Sequence, residues 1–230
     1  MKGWRMPVKR RLFALILVAL LAMMAALAEE DSITTLKGDD VPPLPERLVE
    51  LIGDIPGTKE AFLARPDVAE MDALMKGWDA EATIKALWET GTCEFPNLDH
   101  EWVESDVSGR DMTMEVSGDH TTLTLSEKQP FEWFEIKAAS DSEHESLYLA
   151  ADMDSETGAL VKKHSHRINA CDDEQYGFFY YTLDCNDGGW ELWIDAGQGD
   201  LRQIWQTFYD SEGNLMEKTY IEEDLSNTEQ

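Results

Sequence analysis

Positive charge is scarce in this sequence: 19 Lys and Arg stand against 47 Asp and Glu, a formal net of -28 over 230 residues. A surface of that sign repels the phosphate backbone and anionic lipid, which excludes nucleic acid as a partner and stable membrane insertion of the mature chain. Cysteine is scarce too. There are three, an odd number, and no Cys-x-x-Cys among them, so neither a thiol redox motif nor a zinc ribbon is present. The chain also lacks a Gly-x-Ser-x-Gly elbow, a Gly-rich phosphate loop ahead of a helix and a His-Glu-x-x-His pair. With 47 carboxylates, some acidic pair always falls at glycosidase spacing, so paired acids discriminate nothing. An enzyme of unidentified class therefore ranks third among the readings. The sequence carries no motif that names a family.

What is present begins with an export signal over residues 1–28. Lys2, Arg5, Lys9, Arg10 and Arg11 form a basic start, Leu12 to Leu21 an apolar stretch, and Ala26-Leu27-Ala28 a small-x-small cleavage site. The apolar run to Ala28 is about 17 residues where a span needs about 20, so an uncleaved anchor is the alternative to a cleaved signal. Loss of the five basic residues leaves 14 against 47 acidic ones in the mature chain. The expected location is secreted or extracytoplasmic.

Behind the signal, residues 29–45 read as an acidic, Pro-containing tether. Residues 46–92 are helical in period: Leu48, Leu51 and Ile52 share a face, Thr58 caps the next segment, Val68, Met71, Leu74 and Met75 repeat at helical spacing, and a last helix runs from an Asp79 cap to Gly91. From residue 93 to 222 the period is 2, with turn signals every 8 to 15 residues and about ten strand candidates. Residues 223–230 read as an acidic tail. The fold class expected is α+β: short N-terminal helices packed on an antiparallel up-and-down meander of eight to ten strands, as a barrel or half-open barrel, the two parts forming one domain.

Four sets of residues carry chemical expectations. A two-residue turn at Asp187-Gly188 sets Leu192 against Leu183 and Ile194 against Tyr181 on a core face that also holds Phe179, Ile204, Phe208, Leu215 and Ile221. The opposite face then carries Phe178, Tyr180, Trp193, Trp205, Tyr209 and Tyr220, with Trp193 and Trp205 as neighbours. Six aromatics where polar residues would serve suggest a ligand surface unless the helices cover them. His164 and His166 share a strand face, and a turn centred on Glu156 brings His144 beside them, a weak zinc or copper site. Asp152-x-Asp154-x-Glu156-x-Gly158 has the look of a calcium loop, but Gly158 and Lys163 occupy the wrong positions, and a hairpin turn is the simpler reading. Counting strand directions places Cys93 and Cys171 at one end of the sheet as the disulfide pair and Cys185 at the other.

The leading expectation is a secreted or envelope-associated, non-catalytic binding protein. Its aromatic face or barrel mouth would take a small apolar or carbohydrate ligand. The alternative is an acidic envelope module that binds a cationic protein or polymer.

Overall fold

The computed structural model describes residues 33–97, 102–128, 130–139, 145–186 and 188–226. The export signal of residues 1–28 lies outside the described residues.

Four short helices come first, each started or stopped by an identifiable residue. Helix α1 (Glu46–Ile52) follows Pro45 and ends at Gly53, which sits at φ +82°. Helix α2 (Lys59–Leu63) is capped by Thr58, whose hydroxyl accepts from the Ala61 amide at 3.2 Å. Helix α3 (Pro66–Gly77) has proline at its first position, where a missing N–H is harmless. Helix α4 (Ala80–Thr90) begins where Asp79 accepts from the Ala82 amide at 3.0 Å and ends at left-handed Gly91. Leu48, Phe62, Met71, Leu74, Ile84 and Leu87 bury the faces that the sequence period assigned to the core.

Among the described residues, twelve strands form two antiparallel sheets. The larger has nine, in the order β1 (Ile33–Lys37), β12 (Leu215–Asp224), β11 (Leu201–Asp210), β10 (Gly189–Gln198), β9 (Gly177–Asn186), β8 (Leu160–Asp173), β7 (Glu145–Met153), β6 (Trp133–Ala139) and β3 (Trp102–Asp106). The smaller pairs β2 (Thr92–Pro96) with β5 (His120–Leu125) and β5 with β4 (Met112–Ser117). The α+β class and the antiparallel meander are thus present. The meander is unbroken only from β6 to β12, because the β4–β5 hairpin leaves the main sheet to pair with β2. The two edges, β1 and β3, are not hydrogen-bonded to each other, so the sheet is open and forms no closed barrel.

The tether reading of residues 29–45 is corrected: Ile33 to Lys37 form β1, with Leu36 opposite Tyr220 and packed on the core. The Ile-Thr-Thr-Leu-Lys segment, three of its five residues β-branched, satisfies the free edge of β12, and Pro42 then crosses the sheet, its carbonyl accepting from Trp205 Nε1 at 3.1 Å. β12 likewise takes in the first two residues of the supposed acidic tail.

One face of the main sheet is covered and the other is bare. The helices and the small sheet lie on the first, and a single contiguous core runs through all three layers. Phe95 of β2 stacks on Phe134 of β6 at 5.2 Å, and Phe62 of α2 stacks on Tyr209 of β11 at 3.9 Å with its edge against Trp190. The β9–β10 register is the expected one, Leu192 against Leu183 and Ile194 against Tyr181, and these four are buried with Phe179. The β10–β11 register differs. The hairpin closes over Gly199 and Asp200, so Ile194 faces Trp205 instead of Ile204, and every β11 side chain lies on the face opposite to the one anticipated.

Candidate functional site

A cleft of about 1080 Å3 lies between the Gly53–Gly57 loop, α2 and α3, floored by Arg167 of β8. Its construction starts from Arg65-Pro66-Asp67. Pro66 fixes the start of α3, which holds the two flanking side chains against the sheet. Arg65 grips Asp67 with Nε at 3.1 Å and Nη2 at 2.9 Å, and it also donates to the carbonyls of Ile52 and Asp54 at 3.2 Å each. The loop from α1 to α2 is thereby tied to the foot of α3. Tyr209 fastens its far end, the hydroxyl donating to the Pro56 carbonyl at 2.7 Å.

Tyr181, central in β9, completes the group: its hydroxyl donates to Asp67 and accepts from Arg65 Nη2, and the guanidinium lies 5.3 Å from the ring centre. Burial works against ionised Asp67, but the hydrogen bonds from Arg65 and Tyr181 outweigh it and hold the carboxyl below the ordinary aspartate value. Burial drives the Tyr181 phenol far above its ordinary value. Deeper in the cleft, Arg167 is clamped between Glu70 of α3 and Glu145 of β7. Both guanidiniums on the floor are therefore neutralised by protein carboxylates. The walls are apolar, supplied by Ile52, Ile55, Pro56, Leu74 and exposed alanines at 61, 64 and 73. Among the described residues, no Ser, Thr, Cys or His lines the cleft. It has a polar floor and an oily wall.

The six aromatics anticipated as one surface are divided by the β10–β11 register. Trp205, Tyr209 and Tyr220 lie on the covered face and are buried, Trp205 to 2% exposure. Trp193 and Tyr180 remain on the bare face, Tyr180 at 45% exposure, and the Phe178 side chain lies outside the described residues. Trp193 pairs with Gln206, so Trp205 is its diagonal neighbour in the backbone but points through the sheet.

His144 also lies outside the described residues. His166 sits opposite Tyr148 and stacks on it at 4.2 Å, while His164 lies 5.3 Å from the Trp133 ring. Burial and then the adjacent His164 press the His166 pKa down to about 4. Among the described residues, no three His, Cys, Asp or Glu side chains converge to hold a metal ion. In the Asp152 to Gly158 segment, Asp154 accepts from the amides of Glu156 and Thr157 and from the Thr157 hydroxyl, which makes it the keystone of a hairpin turn.

The cysteine pairing is corrected: among the described residues no disulfide joins Cys93, Cys171 or Cys185. Phe95, two residues from Cys93, stacks on Phe134, whose row across the sheet runs through Ala151 and Lys163. Cys171 is eight residues farther along β8, about 26 Å by strand rise. The strand directions counted from β3 to β8 hold, but the unforeseen β2 carries Cys93 into the small sheet, away from the end of β8. Burial raises the Cys93 thiol to about 12, so it is an inert core residue.

Sequence reading missed Arg65, Asp67, Glu70 and Arg167. Their only local signal is an Arg-Pro-Asp step placed shortly after Gly-Asp-Ile-Pro-Gly in a chain with few cations. Comparison with protein-family models, with curated proteins and with solved structures finds no match for this chain.

Proposed function

We propose that the protein is an exported, non-catalytic binding protein that holds a small amphiphilic molecule in the cleft between α1, α2 and α3. One observation carries the reading: a hollow of about 1080 Å3 with an apolar wall and a floor whose charges are already matched. Sites for small ligands combine volumes of roughly 300–1,000 Å3 and mostly apolar walls with a few placed polar groups. The matched floor offers an incoming molecule little net charge, so the attraction lies in the wall, and Asp54 at the cleft supplies an acceptor for a polar head. Among the described residues, no aromatic plane lines the cleft. An apolar body therefore suits it better than a sugar, which favours stacking faces. Export follows from the basic and apolar run ahead of Ala28.

The test uses the neutral fluorophore N-phenyl-1-naphthylamine. Saturable fluorescence enhancement is expected, with one probe per chain and little dependence on salt. Ala64→Trp and Ala73→Trp, both at exposed wall positions, are expected to weaken binding by about tenfold by filling the space. No enhancement, or equal affinity in the two variants, would overturn the reading.

A further inference from the structure

The bare face of the main sheet carries a second, separate hollow on the side away from the helices. It is small, about 210 Å3, and lined by Tyr180, Thr182 and Asp184 of β9 with Trp193 and Asp195 of β10. Register builds it. Trp193 lies between Thr182 on one side and Gln206 on the other; the Asp184 and Glu191 pair forms the row on one flank, and the Tyr180 and Asp195 pair the row on the other.

The three carboxylates around Trp193 are differently provided for. Asp195 takes Arg202 through Nε at 3.0 Å and Nη2 at 2.6 Å, and Glu191 accepts from Gln206 Nε2 at 3.2 Å. Asp184 is half-buried and accepts no hydrogen bond from any described side chain. Burial and then the Glu191 charge push its pKa up to about 6, with Lys162 acting in the opposite sense but making no ion pair with it among the described residues. A carboxylate so placed gains most from a donor that also brings positive charge, and the flat faces of Trp193 and Tyr180 favour a cation over a neutral donor. The net charge of -28 adds a long-range field of the same sense.

We propose that this hollow binds an alkylammonium group, from a lysine side chain or a free amine, with the ammonium donating to Asp184 and its methylene stem lying on the Trp193 indole. The site shares no residue with the helix-lined cleft, so either can fail alone. Indole N–H resonances of the nitrogen-labelled full chain report on all eight tryptophans, and Trp193→Phe identifies the one that matters. Titration at low ionic strength with n-butylammonium and with capped tetralysine is expected to shift the Trp193 resonance saturably. Asp184→Asn should weaken that binding by about tenfold while the other indoles of the free protein keep their positions. Tighter binding of tetralysine per ammonium identifies a basic polypeptide as the source of the group, and equal binding identifies a free amine. Any of four results overturns the proposal: no shift at Trp193, like shifts at every indole, unchanged affinity in Asp184→Asn, or a response to cellobiose without one to butylammonium.

Discussion

Asp67 and Asp184 are both half-buried aspartates, and their surroundings move them in opposite directions. Burial raises Asp67 less than Arg65 and Tyr181 lower it, so its folded value lies below the unfolded one. It contributes stability above pH about 4 that is lost as the pH falls through the folded value. Asp184 has burial and Glu191 on the same side of the balance, and its value rises to about 6. The folded state then holds the proton more tightly than the unfolded chain does, so stability falls as the pH climbs from about 4 to about 6 and stays lower beyond. The groups that bear on it are Glu191 of β10, Lys162, and His166, its partner on β8, whose own pKa near 4 leaves it mostly neutral above about pH 5. Asp184→Asn is expected to raise the unfolding free energy by about 1–2 kcal/mol at pH 7.5 and to change it little at pH 4. Urea denaturation at the two pH values checks this. An equal gain at both would mean that charge is not the source.

At the level of elements, hairpins that offered one place to turn were legible in the sequence, and the hairpin that offered two was not. Asp187-Gly188 gave the β9–β10 register directly. Between β10 and β11, Gly197 and Gly199 both invite a turn, and the chain keeps Gly197 and Gln198 in the strand and closes over Gly199 and Asp200. A one-residue difference inverts a strand, and here it moved three aromatics from a supposed ligand face into the core. Helix ends were legible because Thr58, Asp79 and Gly91 act locally. The cleft was not, since Arg65, Asp67, Tyr181 and Arg167 meet only through tertiary packing. The same hairpins give a measurable contrast between two glycines. Gly189 sits at φ +145°, and a Cβ there would run into the Tyr209 carbonyl oxygen, whereas Gly199 at φ +61° has open space around it. Gly199→Ala is expected to cost about 1 kcal/mol from backbone strain alone and Gly189→Ala at least about 2 kcal/mol more, read from denaturant midpoints at constant slope. Equal costs would show that β10 and β11 have room to separate.

On the scale of the whole molecule, the sequence reading assigned side chains to the two sheet faces through the β10–β11 hairpin, and so misplaced those of β11, and it omitted β1 altogether. That omitted strand sets a constraint on the order of events in folding. Strands β6 to β12 assemble as successive hairpins, each closing a short loop soon after it is made. β1 pairs Ile33 with Glu223 and Leu36 with Tyr220, so the first strand has no partner until the last one exists. Closing so long a loop is entropically expensive, and the contact brings its reward only on a template that is already in place. The β1–β12 ladder is therefore expected to form after the rate-limiting step. In stopped-flow experiments Leu36→Asp should unfold about tenfold faster and refold at an unchanged rate. A slowed refolding limb would place the two chain ends in the nucleus instead. If β1 docks last, the N-terminal segment is the final piece to be stored away, and until then the edge of β12 stands open to any other strand that reaches it.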